Sequence, residues 1–257
     1  MQLLVSAATA ADACAAVEGG ADIIDAKDPS SGALGAVTLE RLREIVEAVA
    51  GRRPLTAALG EAEDERALER DARAYAGAGA ILVKIGLLGT TDTARSESLV
   101  SAAVRGVWGT ATGVVAVAYA DTQVTPAPSP FAVIQVAARA GAHGVLIDTA
   151  NKAGPGLLGV MSLEELARWV AAGRTASLQV AVAGKLTAAD LAGVVDTGAD
   201  IAGVRSAVCV GGRDGRVSAV LVRELVLRLQ PAAWSEYGSD PADVPAAVAN
   251  RRMEGGA

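Results

Sequence analysis

An acid and an amine stand two positions apart in the stretch ADIIDAKDPS, residues 21–30. Asp25 and Lys27 follow a short apolar run that begins after Gly20 and is closed by Pro29, a pattern typical of a buried strand and the turn after it. Because side chains alternate across a strand, residues two apart point to the same face, and we expect Asp25 to lie one layer deeper than Lys27. A carboxylate and an amine on one buried face form either a structural ion pair or part of an active site.

Further charged side chains lie where other apolar runs end. Lys84 lies in ILVKIG, Asp148 ends HGVLID, and Lys152 follows in DTANK. A single strand lysine would ordinarily be interpreted as half of a structural salt bridge. Three lysines at the ends of the second, fourth and sixth predicted strands, however, would point to one mouth, and proteins seldom gather like charges without an anionic ligand. Asp121, after the fifth run, is equally compatible with the site and with capping a loop.

The charges predict a type of chemistry. Two ammonium groups about 5 Å apart repel each other by about 3 kcal/mol at an effective dielectric of about 20, enough to lower the pKa of one by roughly 2 units. A lysine that is neutral attacks carbonyl carbons, and a carboxylate such as Asp148 or Asp25 can carry the protons that imine formation requires. The sequence therefore predicts Schiff-base chemistry on a carbonyl compound.

Two later loops predict a phosphate site. Gly184 and Lys185 stand in AGKL after the seventh run, and Arg205, Ser206 and Ala207 open the segment after the eighth. In barrels of alternating strands and helices, these two loops commonly bind phosphate through backbone N–H groups at the start of a helix. We expect these five residues to bind the phosphate of a phosphorylated substrate.

The elements that must position these residues alternate regularly. Eight apolar runs are separated by stretches of helical period, of which TLERLREIVEAVA is the clearest, and SLEELARWVAA opens with a Ser162–Glu165 capping box. Such alternation demands parallel pairing with right-handed crossovers, and eight units in a chain of this length predict a single (β/α)8 TIM barrel of class α/β. An open doubly wound sheet is the alternative, but no GxGxxG follows the first run. The predicted strands are residues 2–6, 21–27, 54–60, 80–86, 113–120, 143–148, 178–184 and 200–205.

The catalytic barrel is predicted to cover residues 1–230 and to finish with a helix at about 216–229. The remaining residues, 231–257, are rich in Pro, Gly and Ala and show no sustained period. They are predicted to form a flexible C-terminal tail.

Composition and charge exclude several function classes. A formal net charge of -6 and 3% aromatic residues disfavour binding to nucleic acid or to an anionic membrane. No run reaches the length of a membrane span and no basic leader is present, so we expect a cytoplasmic protein. We also expect it to form a homo-oligomer and to act on a small molecule. Cys14 and Cys209 form no CxxC pair, and the only histidine, His143, begins a predicted strand, so neither a metal site nor a cofactor is predicted.

Several of these segments together resemble one enzyme family. LLVS, EGGADIIDAKDP with SGALGA after it, ILVKIGLLGT, LIDTANK, AGKL and GVRSAVC occur in this order over roughly residues 1–230. They resemble the (5-formylfuran-3-yl)methyl phosphate synthases, also called 4-(hydroxymethyl)-2-furaldehyde-phosphate synthases. The resemblance implies a lyase that joins two molecules of glyceraldehyde 3-phosphate, with loss of phosphate and water, to give the furan aldehyde phosphate used for methanofuran-type cofactors.

The resemblance also implies that the five catalytic candidates form one site, and each of them is given a role by hypothesis. Lys27 would be the Schiff-base lysine, with Asp25 orienting it from below. Lys84 would favour the neutral form of Lys27 through its charge or bind a phosphate, while Asp148 and Lys152 would exchange protons with the intermediates. Two alternatives remain open: a class I aldolase of the deoxyribose-phosphate type, and a non-catalytic protein that binds sugar phosphates.

Overall fold

The structure, a computed structural model, describes residues 1–229. Eight parallel strands close into one barrel in chain order, and the last strand pairs with the first. The predicted (β/α)8 barrel is therefore confirmed. The strands are β1 Gln2–Ala7, β2 Ile23–Ala26, β3 Leu55–Glu61, β4 Leu82–Gly86, β5 Gly113–Tyr119, β6 Gly144–Asp148, β7 Gln179–Val182 and β8 Ile201–Val204.

The strand predictions agree with the structure to within two residues at every end. Most of the apolar runs are buried on both faces, since one face fills the barrel and the other packs under the helices. An exception is β7, whose alternate residues are only half-buried. Between and after these strands lie the helices α1 Ala10–Gly19, α2 Leu39–Val49, α3 Glu65–Gly77, α4 Thr93–Val107, α5 Pro130–Ala140, α6 Leu157–Val160, α7 Leu163–Thr175, α8 Asp190–Asp196 and α9 Ala219–Leu229.

Local signals fix where the two clearest helices begin. The hydroxyl of Thr38 accepts a hydrogen bond from the Arg41 N–H at the start of α2. The predicted capping box of α7 is present, with Ser162 and Glu165 each bonding the backbone of the other. These caps set the helices against the barrel and leave the loops at the carboxyl ends of the strands free to carry function.

The last part of the described chain differs from the prediction. Residues 206–208 form a 3-10 turn, and two short strands, β9 Cys209–Val210 and β10 Arg216–Val217, pair as an antiparallel hairpin. Helix α9 therefore begins at Ala219 rather than near residue 216, because Arg216 and Val217 pair with Val210 and Cys209 in the hairpin. Val217 also donates its N–H to the buried carboxylate of Asp12. The predicted tail, residues 231–257, lies outside the described residues.

Candidate active site

One cavity at the carboxyl ends of the strands collects every lysine of the chain. The sequence contains four lysines among its 23 basic residues, and the others are arginines. Lys27, Lys84, Lys152 and Lys185 all line this cavity. Because no lysine lies elsewhere in the sequence, its amine chemistry is concentrated at this mouth.

The deepest charged group is an ion pair between two strands that are separated by β3. Asp25 of β2 bonds Lys84 of β4, and both residues are buried, with 1% and 5% of their surface exposed. The carboxylate also accepts hydrogen bonds from the Thr56 hydroxyl at 2.7 Å and the Ser6 hydroxyl at 3.2 Å. Within residues 1–229 the ion-pair partner of Asp25 is thus Lys84 rather than Lys27. Asp25 as an orienting group for Lys27 stays a prediction.

A second set of charges lies at the end of β6. Nζ of Lys152 is 2.5 Å from Oδ1 of Asp148, and Nζ of Lys27 is 3.7 Å from Oδ2 of the same carboxylate. Oδ1 also accepts the backbone N–H of Thr149 at 2.7 Å. One carboxylate therefore serves two amines, and the group as a whole is positively charged.

Burial and neighbouring charges shift the protonation of these groups. Burial lowers the pKa of Lys84, and the charge of Lys27 lowers it further, against the opposing effect of Asp25. Burial lowers the pKa of Lys152 in the same way, and the charge of Asp148 only partly offsets this. Burial alone would raise the pKa of Asp148, but the ammonium groups of Lys152 and Lys27 hold it below its ordinary value. The site thus keeps the Asp148 carboxylate ionised beside Lys152, which loses its proton more readily than free lysine.

Backbone contacts hold the reactive side chains in place. Lys27 directly follows β2, and its N–H donates to the Ala7 carbonyl at 3.1 Å. The loop that carries Lys152 is braced by Asp121, whose carboxylate accepts the N–H groups of Ala150 and Asn151, both at 2.8 Å. Of the two interpretations that the sequence left open for Asp121, the structure favours loop capping.

Four of the five predicted phosphate ligands reach the cavity. Gly184, Lys185, Arg205 and Ser206 line it, and Ala207 does not. Gly184 has φ 113°, and a Cβ there would lie 2.9 Å from the Cβ of Leu157, so only glycine fits.

Two of these ligands have side chains that are already bonded. Lys185 is exposed, and its Nζ donates to the Gly154 carbonyl at 2.6 Å. The Arg205 guanidinium makes four hydrogen bonds, to Asp12 Oδ2 and to three backbone carbonyl oxygens. Phosphate binding in these two loops stays a prediction, and for Arg205 most of the side-chain donors are already engaged.

Sequence reasoning missed several lining residues of the cavity, and three of them have polar side chains that bond near the charged groups or the loops of the site. Ser6 and Thr56 lie on β1 and β3, and each is a polar residue inside an apolar run, a signal that could have identified both. Arg213 lies in the loop of the β9–β10 hairpin, within GGRDG. Nothing in the local pattern predicts that this loop reaches the barrel mouth.

Comparison with known proteins identifies the family. The profile of the 4-HFC-P synthase family matches residues 3–226. The chain belongs to this family. It is 38% identical over 229 residues to the (5-formylfuran-3-yl)methyl phosphate synthase of Methanopyrus kandleri, an alignment that covers 87% of this chain and 97% of the relative. The enzyme of the same name from Methanothermobacter thermautotrophicus is 35% identical, with 88% and 97% covered.

Several solved structures share the fold of this chain at low sequence identity. A 3-hexulose-6-phosphate synthase superposes with a TM-score of 0.62 at 22% identity, covering 88% of this chain and 99% of that one. Phosphoribosyl anthranilate isomerase from Thermus thermophilus superposes with a TM-score of 0.60 at 17% identity, covering 89% and 98%. These likenesses confirm the barrel and carry no further argument.

Residues 1–229 contain neither a candidate membrane span nor a candidate metal cluster. No helix there has both the length and the apolar character to cross a membrane. That part of the chain also contains no group of three or more His, Cys, Asp or Glu side chains placed to hold a metal ion.

Proposed function

We propose that this family member is a (5-formylfuran-3-yl)methyl phosphate synthase that condenses two molecules of glyceraldehyde 3-phosphate through a Schiff base on Lys27. The observation that carries the proposal is the gathering of all four lysines at one mouth, with Asp148 shared by Lys27 and Lys152. The reaction balances as two triose phosphates giving one furan aldehyde phosphate, one inorganic phosphate and two waters. No electrons are gained or lost overall, so the reaction requires no redox partner.

The charge of the cavity supports an anionic substrate. Its lining contains six basic side chains but only two carboxylates, although the whole chain has a net charge of -6. Asp12, outside the lining, neutralises one of the six, Arg205. The excess of positive charge favours phosphate esters over neutral sugars.

The first chemical step is imine formation. The neutral amine of Lys27 adds to the carbonyl carbon of one triose phosphate, a C–N bond forms, and the carbonyl oxygen leaves as water. Asp148 lies between Lys27 and Lys152, so it can receive the proton that the amine loses while Lys152 supplies a proton to the departing oxygen. The lowered pKa of Lys152 makes this donation easier.

The iminium then activates the adjacent carbon. A proton leaves that carbon for Asp148 or for neutral Lys152, and the enamine attacks the aldehyde of the second triose to form the C–C bond. Elimination of one phosphate, loss of the second water and ring closure give the furan. In the ring closure a substrate oxygen replaces the nitrogen of Lys27 on its carbon, so the C–N bond breaks and the free amine is restored. Lys84, held by Asp25 at the bottom of the site, supplies a fixed positive charge for the oxyanions that develop.

The cytoplasmic location and the assembly into a homo-oligomer stay predictions.

Borohydride trapping tests the proposal. With glyceraldehyde 3-phosphate the reduced adduct should appear by mass spectrometry on Lys27, and the assignment is simple because only three other lysines and the amino terminus can compete. Turnover without borohydride should produce the ultraviolet absorbance of a furan aldehyde. An adduct on Lys84 or Lys152 would contradict the choice of nucleophile. Trapping on Lys27 with an open-chain product would favour the class I aldolase, and the absence of both trapping and turnover would favour a binding protein.

A further inference from the structure

The β9–β10 hairpin extends from the end of the barrel over the mouth. Its loop, residues 211–215, is shaped by glycines: Gly211 and Gly212 have φ values of 91° and 77°. A Cβ on Gly215 would lie 1.9 Å from the Val210 carbonyl oxygen, so no other residue fits. The backbone that presents Arg213 therefore has a defined shape.

A buried ion pair anchors this loop. Arg205 and Asp12 join at 2.8 Å, with 8% and 6% of their side chains exposed. Through its remaining donors Arg205 bonds the carbonyl oxygens of Arg213 at 3.0 Å and Gly215 at 2.8 Å, while Asp12 accepts the Val217 N–H at 3.0 Å. Arg205, predicted as a phosphate ligand, thus fixes the position from which another arginine reaches the site.

The side chain of Arg213 crosses to the loop that follows Lys27. Its Nη2 donates to the carbonyl oxygens of Gly32 at 2.8 Å and Pro29 at 3.2 Å. Its Nε and Nη1 make no hydrogen bond to any described residue, and the side chain lines the cavity together with the four lysines. Three of its five N–H groups are therefore available to a ligand.

No carboxylate within residues 1–229 lies close enough to pair with Arg213. Asp28, in the loop that Arg213 contacts, accepts hydrogen bonds from the Ser30 N–H and hydroxyl and from the Ser31 hydroxyl. Hydrogen bonds from Ser31 and Ser30 lower the pKa of Asp28, and the charge of Arg213 lowers it further without direct contact. The charge of Arg213 also acts on Lys152, where it adds to the effects of burial and of Lys27 in lowering that pKa. A guanidinium with no carboxylate in direct contact, placed beside other cations, is the arrangement expected of an anion-binding site.

We propose that Arg213 is a phosphate ligand of the substrate, which it binds through Nε and Nη1 at the mouth of the cavity, while Nη2 holds the loop after Lys27. The inference rests on the proposed function in that the substrate carries phosphate. It assigns a phosphate-binding role to the hairpin, an addition to the eight-unit barrel, and makes Arg213 a determinant of specificity for phosphorylated over free aldehydes.

Substrate comparison tests this assignment with Arg213→Gln, using Arg216→Gln as the matched control because Arg216 is exposed on the same hairpin and does not line the cavity. For Arg213→Gln, the concentration of glyceraldehyde 3-phosphate that half-saturates borohydride trapping should rise about 10- to 100-fold. Trapping of unphosphorylated glyceraldehyde should be unchanged, and Arg216→Gln should match the wild type with both. An equal loss with both aldehydes would show that Arg213 only fastens the loop, and no loss with either would overturn the assignment as well.

A second measurement separates this inference from the proposed function. Inorganic phosphate is titrated into protein that contains isotope-labelled lysines, and its binding is measured from the shifts of the lysine side-chain NMR signals. The chain has only four lysines, so these signals are few. Wild type and Arg216→Gln should bind phosphate alike, and Arg213→Gln at least tenfold more weakly. That result would support the inference even if no imine is ever trapped, and equal affinity in all three proteins would refute it even if the synthase activity is established. If Arg213→Gln does not fold, Arg213→Lys, which keeps the charge but not the fork, should show a smaller loss in the same direction.

Discussion

The two carboxylates of the cavity, Asp25 and Asp148, are compensated in different ways. Asp25 has one lysine, Lys84, and two hydroxyl donors, so its charge is balanced and its position is fixed. Asp148 faces two lysines, Lys27 and Lys152, and has only one further donor, a backbone N–H. The deep set, Asp25 and Lys84, is neutral and rigid. The outer set, Asp148 with Lys27 and Lys152, carries an excess proton that it can lose or pass on. The number of amines per carboxylate thus separates the part that holds the site from the part that reacts.

The largest expected effect is loss of the nucleophile from the outer set. Lys27→Met should lower turnover by at least about 10^4-fold and abolish borohydride trapping at every pH, since no other amine occupies the reacting position. Lys185→Met, which removes an exposed lysine at the edge of the same cavity, should still form the adduct. A normal adduct in Lys27→Met would remove the distinction between the two sets.

Removing the shared carboxylate should have the next largest effect on rate. Asp148→Asn should lower kcat by about 10^2- to 10^4-fold, because proton transfer to and from the imine loses its carrier. The pKa of Lys152 should fall further, since Asp148 is the group that raises it. Titration of the labelled lysine signals measures this shift. An unchanged kcat would mean that protons pass through another group.

Substitution in the deep set should lower the stability of the protein more than its activity-bearing counterpart in the outer set does. Asp25→Asn leaves the Lys84 ammonium buried without a counterion, and we expect the free energy of unfolding to fall by about 3–5 kcal/mol. Urea denaturation measures the loss. Asp148→Asn should cost less, because Lys27 and Lys152 are partly exposed at 11% and 13% and can turn to solvent. Equal losses in the two variants would contradict the division into a holding set and a reacting set.

Lys84 should make a measurable contribution to the pH dependence of the free energy of unfolding. Because its pKa is lowered in the folded state, the unfolded chain binds more protons between that value and the ordinary lysine pKa near 10.4. Stability from this group therefore rises with pH across that window, by at most about 1.4 kcal/mol per pH unit. The double variant Asp25→Asn, Lys84→Met should lose this part of the slope. A slope equal to that of the wild type would show that Lys84 ionises alike in both states.

The smallest expected effects are changes in the free energy of unfolding when either of two buried threonines is replaced. One threonine lies beside each carboxylate. Thr56 donates to Asp25, whereas the hydroxyl of Thr149, next to Asp148, has no hydrogen-bond partner among the described residues. Thr56→Val should therefore lower the free energy of unfolding by about 1 kcal/mol, and Thr149→Val should raise it by about the same amount. The same sign for both changes would show that Thr149 has a bonding partner after all.

The sequence predicts the barrel well because each unit repeats one local pattern. An apolar run of strand length, a turn and an amphipathic helix need only local information, and all eight strands were found within two residues. Periodicity also assigns Asp25 and Lys27 to one face of β2. It does not give the stagger between neighbouring strands, and this stagger brings Lys84 of β4 to Asp25.

Distant partners are the part that could not be predicted. Arg205 stands at a strand end as expected, but most of its donors bond Asp12 and carbonyl oxygens rather than facing the cavity. Its partner lies 193 positions earlier in the chain, which no local pattern encodes. Arg213 was missed for the same reason, since its contacts in Pro29 and Gly32 are more than 180 positions away.

The Arg205–Asp12 pair also has a consequence for how the chain folds during its synthesis. Asp12 leaves the ribosome early, and at about 5–20 residues per second its partner follows only about 10–40 s later. During that interval the Asp12 carboxylate has neither Arg205 nor the Val217 N–H to bond, and β1 has no neighbour on the edge that β8 will cover. An unpaired parallel edge is prone to aggregation, so nascent chains that stop before residue 205 should depend on chaperones more than the complete chain does.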